Sequence, residues 1–145
     1  MHRFGALALT VLMGAAALSC QSYSTGLQQS LARADEAVAT AGLRAVAMAQ
    51  QTYAVSNNGN YGSFQQLAAG GYLDARFNSD KPALTDYELT METGTGAAGP
   101  FYQCHAEPTK TGPQAGRHFY LDSTSGAIHV NANQAASASD PVAQP

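Results

Sequence analysis

Residues 27–55 read LQQSLARADEAVATAGLRAVAMAQQTYAV, and this stretch decides the fold. Its apolar and small residues fall at Leu27, Leu31, Ala34, Val38, Ala41, Ala45, Met48 and Thr52. Alternating steps of four and three keep them on one side of an α-helix over many turns. At 1.5 Å per residue such a helix is about 44 Å long, more than the diameter of a compact domain of this size. A second set, Leu43, Val46, Ala47, Gln50, Tyr53 and Ala54, widens the stripe toward the C-terminal half. Thr25 and Gln28 have capping-box spacing and predict the helix start. Asn57, Asn58, Gly59 and Asn60 predict its stop, because asparagine and glycine tolerate the left-handed conformation. Before Leu43 the stripe is mostly alanine and buries little area per turn. The expected arrangement is a helix rooted in a domain at one end, where Met48 and Tyr53 meet a sheet, and projecting at the other. Arg33 and Glu36 then form an exposed i,i+3 pair.

Downstream the elements shorten. Ser63 and Gln66 repeat the capping-box spacing, and Phe64, Leu67 and Ala68 form one face of a two-turn helix that Gly70 and Gly71 end. Tyr72 and Leu73 then return to the core, and residues 78–82 form a loop. In residues 87–92, Tyr87, Leu89 and Met91 alternate with polar residues, as a half-buried strand requires. Residues 101–106 form a second strand with Tyr102, Cys104 and Ala106 on one face. Residues 94–100 read as a flexible turn and 107–116 as a loop. Residues 117–121 and 127–130 flank the turn residues 122–126 and make a hairpin. Residues 132–145 show no periodicity and predict a disordered tail. The fold class is therefore α+β, with a long N-terminal helix on a three- or four-stranded antiparallel meander, the domain spanning residues 27–131.

The N-terminus reads as an address. Arg3 precedes an uncharged run over residues 4–18, which is short of the roughly 20 apolar residues a membrane-spanning helix needs. A basic start, an apolar run and small residues describe a secretory signal peptide over residues 1–19. Two cleavage readings compete. Ala15, Ala16 and Ala17 make an A-x-A site that releases a soluble protein. Ala17, Leu18, Ser19 and Cys20 instead resemble a bacterial lipobox, with Cys20 carrying lipid and residues 20–26 forming an anchor and linker. The lipobox resemblance implies an outer-membrane destination, since Gln21 carries no aspartate-type retention signal. With Cys20 lipidated, Cys104 is a lone buried hydrophobe; with Cys20 free, a Cys20–Cys104 disulfide can form in an oxidising compartment.

Composition narrows the function. The chain has 145 residues, 45% hydrophobic and 12% charged, enough for one small domain. Seven basic and ten acidic residues give a net charge of −3, which argues against a nucleic-acid partner. Cys104 and His105 are neighbours, so on a strand they point to opposite faces and cannot act as a nucleophile–base pair. His105, His118 and His129 fall on neighbouring strands and are the candidate metal ligands, although exposed histidines of a small sheet give the same pattern. Asp80, Asp86, Glu88 and Glu92 lack the glycines and alternating ligands of a calcium loop. The residues imply neither cofactor nor catalytic site.

Three segments resemble type IV pilins and type II secretion pseudopilins. Leu43, Arg44, Val46, Ala49, Gln50, Tyr53 and Ala54 are similar to the distal part of the pilin helix, where LRxVxxAQxxYA-like patterns recur. Tyr61, Ser63, Leu67, Gly71, Leu73 and Asp74 resemble the stretch that follows it. Arg117, Phe119, Tyr120, Asp122, Ser123, Ser125, Gly126 and Ile128 resemble the closing RxFYxDxSGxI hairpin. Together these cover about residues 27–131. The prepilin peptidase site and its glutamate do not occur in residues 1–20. The resemblance thus implies a pilin headgroup whose membrane helix is replaced by a signal peptide and a lipid. It also implies a non-catalytic envelope protein working through protein contacts, as an accessory of a pilus or secretion system. The expected contact face is Leu27, Leu31, Ala34, Val38 and Ala41, open to a protein partner or to self-association. The alternative is a soluble periplasmic module binding a small ligand or metal.

Overall fold

The computed structural model of the chain describes residues 12–112 and 115–144. Helix α1 runs over Leu12–Ser56, 45 residues, or about 67 Å. It passes through Thr25 without a break, so the capping-box spacing there does not mark a start. No proline lies in residues 12–56, and the alanine- and leucine-rich run before Thr25 is itself helix-forming. Residues 1–11, within the expected signal peptide, lie outside the described residues, as does the side chain of Cys20, whose backbone belongs to α1. No described helix is long and apolar enough to cross a membrane.

The predicted stop holds. Asn58 takes φ 54° and Gly59 φ 81°, and the Gly59 N–H donates to Ala54 O at 2.9 Å, the six-to-one bond of a Schellman end. Ser63 then caps α2 (Phe64–Ala69) with both capping-box bonds in place. Asp74 caps a short 3₁₀ turn, Ala75–Phe77, that seats Phe77 in the core.

Five strands follow, β1 (Ala83–Leu84), β2 (Tyr87–Gly96), β3 (Gly99–Pro108), β4 (His118–Asp122) and β5 (Ile128–Asn131). They lie side by side in sequence order, every pair antiparallel. The strand count is thus five, the addition being the two-residue edge β1. Residues 94–100 are not a flexible turn. The β2–β3 ladder continues through Gly94↔Phe101 to Gly96↔Gly99, leaving only Ala97 and Ala98 to turn. Ladder hydrogen bonds need no side chains, so a glycine-rich stretch can pair fully.

Helix α1 lies against one face of the sheet through Ala39, Leu43, Val46, Ala49 and Gln50. Leu43, Val46 and Gln50 belong to the second of the two stripes read from the sequence, whereas Ala39 and Ala49 belong to neither. Met48 of the first stripe is 69% exposed, so the sheet does not pack there. Gly42 explains the close approach: a Cβ on it would stand 2.3 Å from Leu84 Cδ1. Opposite α1, Tyr87, Leu89, Tyr102, Cys104, Phe119 and Leu121 complete the core.

Residues 132–144 do not form a disordered tail. The chain turns back beside β5, with Val142 bridged to His129, Val130 N–H donating to Pro141 O (2.9 Å) and Ala143 N–H to Ile128 O (2.7 Å). The Asp140 carboxylate holds that turn by accepting from Asn131 Nδ2 and from the Ser137 N–H, each at 2.8 Å. Ala136 is buried within it. Alanine, serine and asparagine give no periodic signal, yet their backbone can still complete a sheet edge.

Candidate functional site

The helix face named from the sequence is largely outside the core. Residues 24–31 are exposed throughout, Leu27 and Leu31 at 55% and 57%. Ala34 and Ala41 are exposed as well, whereas Val38 is half-buried and packs against the core. Two large apolar side chains therefore stand in solvent one helical turn apart, on a helix whose burial begins only near Ala32. An apolar ridge flanked by small residues lets a second helix approach closely.

Glu36 behaves differently from its sequence reading. It does not pair with Arg33 as an exposed couple. Its carboxylate takes the Arg117 backbone N–H on Oε1 (2.9 Å) and the guanidinium on Oε2 through Nε (3.1 Å) and Nη2 (2.8 Å). Burial pushes the Glu36 pKa up, but the Arg117 hydrogen bonds and charge outweigh it and hold the group below the ordinary glutamate range. The Arg117 carbonyl accepts from Tyr87 Oη at 2.7 Å, so α1, β2 and the start of β4 are tied at one point. Gln50 makes a second tie: wholly buried, its Nε2 donates to Gly62 O (2.7 Å) and its Oε1 accepts from Gly62 N–H (2.9 Å). Neither tie is signalled by local spacing.

The three histidines are placed on the sheet face away from α1, without converging. The His105 ring is tilted against Tyr120, centroids 4.9 Å apart, and Tyr120 stands between it and His129 in register. His118 Nδ1 pairs with the Glu107 carboxylate. His129 is buried, its Nδ1 donating to Asp140 O at 2.7 Å. Among the described residues no group of three or more histidine, cysteine, aspartate or glutamate side chains is arranged to hold a metal ion. The four acidic residues are also separated: Asp86 pairs with Lys110, Glu88 with Lys81, and Asp80 and Glu92 are exposed. Cys104 is fully buried facing α1, and burial pushes its thiol pKa up, so it stays protonated. His105 is on the opposite face of β3.

The arrangement presents an exposed helical ridge on a domain pinned by Glu36–Arg117 and Gln50–Gly62. No protein-family model, no curated protein and no solved structure matches the chain.

Proposed function

We propose that this chain is a non-catalytic, pilin-like interaction protein of a bacterial cell envelope, held by lipid on Cys20 and serving a pilus or secretion assembly. Its working surface is the ridge of Leu27, Leu31, Ala34 and Ala41, which engages a helix of a protein partner or of a second copy. The observation that carries this reading is the exposure of Leu27 and Leu31 on a helix that extends beyond its own sheet. The order of a long helix, a short capped helix and an antiparallel meander supports the pilin-like part.

Leu31→Glu and Ala34→Glu test the ridge, since both positions are exposed and neither touches the core. Loss of cross-linking to neighbours in intact cells, with an unchanged melting curve, supports the proposal. Unchanged cross-linking overturns it. The intact mass of the membrane-extracted protein tests the anchor: a diacylglyceryl increment on a chain beginning at Cys20 is expected, and its absence returns the protein to the released form.

A further inference from the structure

A groove of about 580 Å³ runs between α1 and the start of β4, with Arg33, Glu36, Thr40 and Arg44 on one wall and Arg117 and Phe119 opposite. Ala143 and Gln144 of the returning tail close its side. The volume is in the range that holds a small ligand or a short peptide. Arg33 and Arg44 are eleven residues apart, close to three helical turns, so they share a side of α1 roughly 16 Å apart. Both are exposed, and neither forms an ion pair among the described residues. Glu36 offsets one of the groove's three guanidinium charges: its carboxylate pairs with Arg117 and lies within the field of Arg33. The groove therefore carries about two uncompensated positive charges on a chain whose net charge is −3.

Guanidinium groups are forked donors that fit carboxylates in pairs of parallel hydrogen bonds. Sixteen ångströms is close to the length of five extended residues at about 3.3 Å each. Thr40 Oγ1 already donates to Glu36 O at 3.0 Å, so the middle of the α1 wall adds no free hydroxyl donor. Strong donors at the two ends of a long trough favour an occupant with anionic groups at its ends and an uncharged middle. We propose that this groove binds an acidic peptide segment of a partner protein, extended along α1, with one carboxylate on Arg33 and another about five residues on at Arg44. The proposal is independent of the reading of the projecting ridge, because it uses another side of α1 and none of the ridge residues.

The test is fluorescence anisotropy on the full chain with a labelled peptide, Glu-Gly-Ser-Gly-Ser-Glu, and its counterpart with both glutamates replaced by glutamine. At low salt the glutamate peptide is expected to bind and the glutamine peptide to bind at least roughly tenfold more weakly. Arg33→Ala and Arg44→Ala should each weaken binding by roughly tenfold, and raising salt should weaken it further. Arg44 makes no ion pair, so the melting temperature of Arg44→Ala should be that of the parent. Equal binding of the two peptides, no binding by the parent, or an unchanged affinity in both arginine variants overturns the proposal. Pyrophosphate that displaces the peptide at equal concentration also overturns it, making the groove a phosphate site.

Discussion

Glu36 on α1 receives three N–H groups from Arg117, a residue 81 positions later that immediately precedes β4. The contact turns a helix lying on a sheet into a helix held at a fixed azimuth. Tyr87 enforces it from beneath by donating to the Arg117 carbonyl. Gly116 is required beside it, since a Cβ there would stand 2.1 Å from the Tyr87 hydroxyl oxygen.

Arg117→Met should destabilise the domain by about 1–2 kcal/mol, because it leaves the mostly buried Glu36 carboxylate with one hydrogen bond. The guanidinium is half exposed, which places the loss toward the lower end. Gly116→Ala should be destabilising too, by forcing Tyr87 off its carbonyl partner. Urea unfolding of both variants against the parent checks this. A midpoint unmoved by Arg117→Met would show that the pair contributes nothing.

Acid should unfold the protein through Glu36 and Asp122. Burial raises each of these pKa values, and hydrogen bonds reverse the balance, from Arg117 to Glu36 and from Ser125 and Thr124 to Asp122. Both folded-state values thus lie below the ordinary ones of 4.5 and 3.8. A group that holds its proton less tightly when folded stabilises the fold above its unfolded pKa. That contribution shrinks as pH falls through the unfolded value and is gone below the folded one. Melting temperature should be flat from neutral pH to about 5 and then drop. In Glu36→Gln the drop should be shallower.

These ties also show what the sequence could and could not reveal. The Ser63–Gln66 capping box and the Asn58–Gly59 helix end were legible because each is settled within a few residues of backbone. The two stripes of α1 were visible, but the choice between them was not. Periodicity marks a face as apolar without saying whether the sheet or solvent meets it, and Met48 fell on the solvent side. Glu36–Arg117 and Gln50–Gly62 depend on distant chain segments meeting, for which spacing carries no signal. The glycine-rich end of the β2–β3 hairpin and the returning tail were missed for a common reason. Both are held by backbone hydrogen bonds, which leave no trace in side-chain patterning.

Gln50→Leu should cost about 2–4 kcal/mol, more than its size suggests. The leucine fits an apolar site, but it leaves the buried N–H and C=O of Gly62 without their partner. Denaturant unfolding with an unchanged slope would assign the loss to the folded state. Gln50→Glu can replace both bonds only while protonated, its O–H donating to Gly62 O and its C=O accepting from the Gly62 N–H, so it should fall between the parent and the leucine variant near pH 5 and lose stability as pH rises.

The returning tail should act as a sixth strand in exchange experiments. Val130 N–H is satisfied by Pro141 O, and Ala143 N–H by Ile128 O. Both amides should therefore be slow to exchange. Asp140→Ala removes the carboxylate that gathers Asn131 and Ser137 and should speed exchange at Val130, Ser137 and Ala143, while Cys104 in the central strand β3 stays protected. Fast exchange at Val130 in the parent would mean that the tail does not stay paired in solution.

Cys104 should be chemically silent until the domain opens. It lies with no exposed surface between α1 and the sheet, and burial raises its thiol pKa, so neither access nor thiolate is present in the folded state. A thiol reagent at pH 8 should leave the peptide containing Cys104 unmodified in the native protein and modify it fully in strong urea. Between those limits, the modification rate should follow the population of unfolded chain, because reclosing is fast relative to alkylation when reagent is dilute. The same experiment on Arg117→Met should shift the curve to lower urea by the stability lost at Glu36. Rapid native modification at Cys104 would mean that α1 lifts from the sheet locally, and the helix would then be hinged at Glu36 rather than fixed there.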